Sequence, residues 1–219
     1  MDKNHRRLLL LIPITMALAF LGFAATIQHA KSHPIGDMAD MGTMKGMAMP
    51  PADTATGATI GGAFQLTDQD GKTVTDTDFA GRYRLMYFGY TSCPDICPLD
   101  LKKMTEALKL LDPAQAAKIA PIFISIDPER DTPKVLKSYV AAFSPRLTGL
   151  TGTVRQVQEV ENGYKVYAAK TTSATSSDYQ MNHSAYIYLM GPNGAFIDVT
   201  DPSDQKPAAI AAWLKAKLS

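Results

Sequence analysis

Residues 84–111 read as a buried strand, a sharp corner and an amphipathic helix, and this unit limits the fold more than any other part of the chain. The run RLMYFGY at residues 84–90 is short, apolar and aromatic-rich, as a core strand is. The corner follows at residues 93–98. Leu101, Met104, Leu108 and Leu111 then recur at three- and four-residue spacing, which predicts a helix over residues 98–111 with one buried face. Pro98 suits its first turn, where the backbone N–H has no helical partner to lose.

The rest of the folded part repeats the alternation. Residues 63–66 and 72–75 read as short strands around the turn signal of residues 68–71. PIFISI at residues 121–126 is a second core strand, and residues 127–131 are a loop. Residues 132–143 and 154–162 are amphipathic helices. Residues 169–180, polar and rich in Ser and Thr, are predicted to be a loop. Strands over residues 185–190 and 195–199 flank a Gly-Pro-Asn-Gly hairpin signal. A helix over residues 206–218 turns Ile210, Trp213 and Leu214 inward. Strands alternating with helices imply a partly parallel sheet with helices on both faces, and the late hairpin adds antiparallel strands. The fold class is α/β, with the layout of a thioredoxin-like domain and a mixed central sheet. Fold alone licenses no activity.

This domain is expected over residues 60–219. Ahead of it, residues 1–29 carry Lys3, Arg6 and Arg7 and then an uncharged apolar run over residues 8–25, close to the shortest length that spans a bilayer. Basic residues before such a run predict a cytoplasmic N-terminus and export of everything after it. The reading is a single-pass inner-membrane anchor with the domain in the periplasm. A signal peptide cleaved near Ala24 is the alternative, and leaves the domain in the periplasm too. Residues 30–59 lack Phe, Tyr and Trp and are too poor in apolar surface to offset their ordering entropy, so they read as a flexible tether. Within the tether Met38, Met41, Met44 and Met47 recur every third residue, with Met49 following and His29 and His33 upstream. Thioethers are soft, weak ligands suited to Cu(I), so these methionines are candidate auxiliary copper ligands. A biased linker without function is the competing reading.

Charge narrows the function. With 22 basic and 21 acidic residues the chain lacks the basic excess of a nucleic-acid binder. Two cysteines are too few for a disulfide scaffold. Cys93 and Cys97 follow a core strand and lead into a helix, and residues four apart share a helical face. The positive end of the helix dipole lowers thiol pKa, and thiolates serve soft metals and disulfide exchange alike. Redox pairs usually have two intervening residues; the three here leave room for an ion, though a disulfide remains feasible. His183 stands just before the strand of residues 185–190, where thioredoxins place a proline facing the cysteine corner. Two thiolates and one imidazole favour copper over zinc. Cu(I) accepts three donors; Cu(II) wants a fourth, from water or a nearby side chain. Asp95, Asp127 and Asp131 are candidate neighbours that orient His183 or face a partner, or else helix-cap and turn residues.

Several of these segments together resemble the Sco (SenC/PrrC) family of copper chaperones over about residues 60–218. They are FGYTSCPDICP at residues 88–98, SIDPERDT at 125–132, LTG at 150–152, and residues 178–192 from Asp178-Tyr179 through His183-Ser184 to Tyr188-Leu189-Met190-Gly191-Pro192. The resemblance implies a thioredoxin-like fold, copper bound by residues matching Cys93, Cys97 and His183, and a part in assembling the binuclear copper centre of cytochrome oxidase. Its expected partners are the copper-bearing oxidase subunit, a periplasmic copper donor protein and the membrane. The methionine tether is outside the family pattern. A metallochaperone, which is not an enzyme, is the leading expectation. A thiol–disulfide oxidoreductase that reduces the cysteines of the oxidase copper site is the alternative.

Overall fold

The structure is a computed structural model that describes residues 59–172 and 179–218. In chain order it contains β1 (Gln65–Asp68), β2 (Thr73–Thr75), a 3-10 turn (Asp76–Phe79), β3 (Tyr83–Gly89), α1 (Ile96–Lys109), α2 (Pro113–Ala117) and β4 (Ile119–Ser125). There follow α3 (Pro133–Ala141), β5 (Thr148–Thr151), α4 (Val154–Tyr164), β6 (Ala168–Thr172), β7 (Tyr179–His183), β8 (Ile187–Met190), β9 (Phe196–Thr200) and α5 (Pro207–Lys217). The main sheet runs β2-β1-β5-β4-β3-β8-β9, and β6 pairs with β7 in a separate hairpin. β3 is parallel to β4 and β4 to β5, while the other pairings are antiparallel, so the sheet is mixed as expected.

β3 and β4 are buried at every position, because helices cover both faces of the sheet centre. On one face the Tyr87 hydroxyl donates to Asp100 of α1 at 3.2 Å. On the other, Phe88 packs on Tyr164 of α4 with ring centroids 5.6 Å apart. This two-sided cover explains why both strands read as continuous apolar runs rather than alternating ones. α4 begins with a Thr153–Gln156 capping box, which satisfies backbone donors left free in the first turn.

Several expectations are corrected. Residues 169–180 are not a loop throughout: β6 and β7 pair from Ala168↔His183 to Thr172↔Tyr179. The hairpin was hidden because half of its residues are exposed and its inward face is only half-buried and largely polar, with Ala168 and Met181 as the apolar residues that touch the core. What holds it is polar, including Tyr179 on Asp127 and Lys170 on Glu129. β5 was missed because it is four residues long and contains Gly149. That glycine is needed where a side-chain carbon would come within 2.8 Å of Val140. α1 begins at Ile96, not at Pro98, so Cys97 is inside the helix. Trp213 is half-buried at the edge of the core and donates its indole N–H to Asp198 at 3.0 Å. Among the described residues no helix is long and apolar enough to cross a membrane. The segment read as an anchor, and the tether with His29, His33 and Met38 to Met49, lie outside the described residues.

Burial of Glu161 on α4 raises its carboxyl from the ordinary 4.5 to about 7. Between those two pH values the folded chain holds a proton that the unfolded chain has released, so stability falls as pH rises through this window. Glu161→Gln should therefore raise the urea midpoint relative to the natural chain at about pH 8 and leave it unchanged at about pH 4. Parallel denaturation curves at the two pH values check this.

Candidate metal centre

The site lies where β3 ends and α1 begins. Gly89 closes β3, and a side chain there would meet Cys97 Sγ at 3.1 Å and the Phe123 ring at 3.1 Å. A glycine is therefore what lets the buried Cys97 sit against the sheet. Cys93 is half-buried in the turn that follows; Cys97, at the second helical position of α1, has no exposed surface. The Cys97 backbone N–H points at Cys93 Sγ from 3.4 Å, which is the anion-binding use of a helix start.

His183 ends β7 and reaches the cysteines from across the chain. Its Nε2 is 3.4 Å from Cys97 Sγ, and its Nδ1 is 3.1 Å from the Ser184 carbonyl oxygen. The Ser184 carbonyl thus engages Nδ1, which leaves Nε2 as the ring atom that faces the cysteines. Tyr87 and Tyr90 stand edge-on to the imidazole, with centroids 6.5 and 6.0 Å away, and restrain its tilt. An imidazole nitrogen and a thiolate that share one soft cation, at bond lengths of about 2.0 and 2.3 Å, stand roughly 3.5 to 4 Å apart. The observed separation is close to that. Among the described residues no three or more His, Cys, Asp or Glu side chains are already closed into a metal-holding group. Here the donors are instead linked by hydrogen bonds, which an arriving ion would have to replace.

The two thiols are electrostatically unequal. The Cys93 thiol is held far below its usual range, chiefly because it accepts a hydrogen bond from Cys97, aided by His183 and by the backbone N–H groups of Cys97 and Asp95. The Cys97 thiol is pushed up by that same hydrogen bond and by burial. Cys93 is thus the thiolate and Cys97 the proton holder. The cleft outside them holds about 260 Å³ and is lined by Tyr90, Cys93, Pro94, Met181 and His183 among others.

The three candidate aspartates separate. Asp95 is exposed at the start of α1 and its side chain caps nothing. Asp127 and Asp131 are fully buried, and neither bonds His183 directly. Asp131 accepts from the Thr91 backbone N–H at 3.1 Å, the Thr91 hydroxyl at 2.6 Å and the Ser125 hydroxyl at 2.6 Å, pinning the turn that leads to Cys93. Asp127 pairs with Arg130 and accepts from the Tyr179 hydroxyl at 2.7 Å, pinning the hairpin that carries His183. Arg130 also donates to the Tyr179 carbonyl at 3.0 Å and stacks 3.8 Å over its ring. The one loop between β4 and α3 therefore positions both halves of the site.

Tyr87 was not picked out from the sequence, and Tyr90, Thr91, Arg130 and Tyr179 entered only as parts of the resembling segments, with no role assigned. Gly89, interrupting an otherwise apolar strand, was a further signal, since such a glycine often marks a close approach. A rim of exposed apolar side chains also went unnoticed, with Ile96 and Leu99 each 52% exposed on α1.

A thioredoxin-like domain carrying two thiols and an imidazole at the head of its first long helix is a soft-metal or dithiol site by construction. The family model described as SCO1/SenC matches residues 52–219, and the chain belongs to that family. It is 42% identical over 160 residues to the human mitochondrial protein SCO1 homolog, which covers 71% of this chain and 53% of the relative. The chain spans about half the length of such curated relatives. The structure of Bradyrhizobium japonicum ScoI with copper bound is 45% identical, with a TM-score of 0.66, covering 73% of this chain and 99% of that one. BsSco, a member of the Sco family of cytochrome c oxidase assembly proteins in which a disulfide switch has been identified, is 28% identical with a TM-score of 0.57, covering 73% and 94%.

The inequality of the thiols has a direct readout. In the reduced chain iodoacetamide should modify Cys93 first and still react readily at about pH 6, where an ordinary thiol is mostly protonated, with Cys97 left behind. Peptide mass spectrometry across a pH series checks this; equal labelling of the two would contradict the asymmetry.

Proposed function

We propose that this protein binds one copper ion through the Cys93 and Cys97 thiolates and His183 Nε2 and delivers it to the binuclear copper centre of cytochrome c oxidase. The observation that carries the reading is the 3.4 Å approach of His183 Nε2 to Cys97 Sγ, with Cys93 one helical turn away at the protein surface. The copper-bound ScoI relative and the assembly role stated for the Sco family support it. Two thiolates and one imidazole complete a three-donor set for Cu(I); Cu(II) would add water or a side chain from the cleft. The protein's own contribution is positional. Asp131 holds the Cys93 turn, Asp127 holds the His183 strand, and the Ser184 carbonyl holds the ring so that Nε2 faces the cysteines. Transfer then proceeds by ligand exchange, each donor of the acceptor subunit displacing one donor here.

The proposal includes the membrane setting. Residues 1–29 anchor the chain in the inner membrane, residues 30–59 are the tether, and residues 60–219 work in the periplasm. Met38, Met41, Met44, Met47 and Met49 gather copper weakly on the tether, and a periplasmic donor protein supplies it.

A second reading, thiol–disulfide exchange on the oxidase cysteines, is favoured by the polarised pair: a low-pKa, half-exposed Cys93 to attack and a buried Cys97 to resolve. Anaerobic Cu(I) titration of the full reduced chain against a competing chelator separates the two. The expected result is one tight copper per chain, weakened about a hundredfold or more in His183→Ala. Binding indifferent to His183 would reject the chaperone reading and leave the dithiol one.

A further inference from the structure

The wall of the Cys93–His183 cleft contains a soft donor that the three-ligand set leaves unused. β7 alternates, with Tyr179, Met181 and His183 half-buried on one face and Gln180 and Asn182 exposed on the other. Met181 therefore stands on the same face as His183, roughly 6.6 Å along the strand. All of residues 180–183 border the cleft beside Cys93, and Gln180 accepts from the Tyr90 hydroxyl at 2.9 Å, so Met181 is the one soft donor of β7 there besides His183. Cys97 does not line that cleft and has no exposed surface. A cation arriving from solvent thus meets Cys93, His183 and Met181 before it can reach Cys97.

We infer that Met181 is a transient copper ligand, completing a first-contact set of one thiolate, one imidazole and one thioether. This rests on the copper reading above and adds a route to it. A two-donor complex of Cys93 and His183 would leave Cu(I) short of the third soft donor it readily takes. A thioether fills the gap without having to lose a proton, and it is weak enough to yield to a thiolate. The inward step is redox-neutral: the copper–thioether bond breaks, a copper–thiolate bond to Cys97 forms, and Cys97 releases its proton to water. Release to an acceptor runs the same exchange in reverse. The chemistry recognised is a monovalent soft cation, for which a hard divalent ion is a poor substitute.

Met181 also packs against the core and borders a second hollow of about 230 Å³ beneath α4, so packing alone would give it a place. Met181→Leu keeps the bulk and removes the sulfur. The experiment follows copper transfer from a Cu(I)–bicinchoninate complex to the full reduced chain by anaerobic stopped flow. In Met181→Leu, uptake should slow roughly tenfold while equilibrium affinity stays within about threefold, because the final ligand set is intact. The urea midpoint and the Cys93–Cys97 disulfide potential should not move. In a Cys97→Ala background a weak Cu(I) site should persist, and adding Met181→Leu should abolish it. Uptake at the natural rate in Met181→Leu, or a weak site in Cys97→Ala that survives loss of the thioether, would overturn the inference. A natural chain that takes up no copper would instead overturn the copper reading, and this inference with it.

Discussion

Everything at the site depends on holding together two pieces of chain 86 residues apart, Cys97 at the start of α1 and His183 at the end of β7. Cys93 sits in the turn before α1, and His183 ends a half-exposed two-stranded hairpin outside the main sheet. The loop between β4 and α3 supplies the rigidity. Its Asp131 grips Thr91 and Ser125 on one side, and its Asp127, with Arg130, grips Tyr179 on the other. Both carboxylates are fully buried, so each bond they make is sheltered from water, and an unpaired donor left behind by their loss would be costly.

Burial organises the chemistry within that frame. Cys93 faces the cleft, while Cys97 is enclosed by Gly89, Tyr87 and Phe123. A thiolate at the surface and a thiol beneath it make a graded path: charge is available where an ion or a disulfide would first arrive, and a second sulfur waits inside. Metal transfer and disulfide exchange both exploit such a gradient, which is why the two readings share the same sulfurs. On the inference drawn above, Met181 adds a neutral soft donor at the outer end of this path.

Ile96 borders the same opening, and Leu99, equally exposed, follows it on the helix that carries Cys97. The fold thus places its reactive atoms at the end of the sheet's parallel core strands, where loops and helix starts converge and where an α/β sheet leaves its crevice. The hairpin β6–β7 takes no part in the main sheet; its work is to bring His183 over that end.

Local pattern was enough for much of this. The apolar runs of β3 and β4, the helical spacing of α1 and the Cys93–Cys97 pair were legible because each depends on neighbours within a few residues. The motif resemblance also pointed to His183. The β6–β7 hairpin, β5, the partners through which Asp127 and Asp131 act, and the exposure difference between the two cysteines were not legible. A polar hairpin has no apolar period to read, since it is held by buried carboxylates far away in sequence. Asp127 and Asp131 look like turn residues until the chain folds Thr91 and Tyr179 onto them. The sequence by itself determined which atoms could bind a soft metal; only tertiary structure decided how deep each lies and what holds it there, because burial and long-range hydrogen bonds are properties of the packed chain and not of any local stretch.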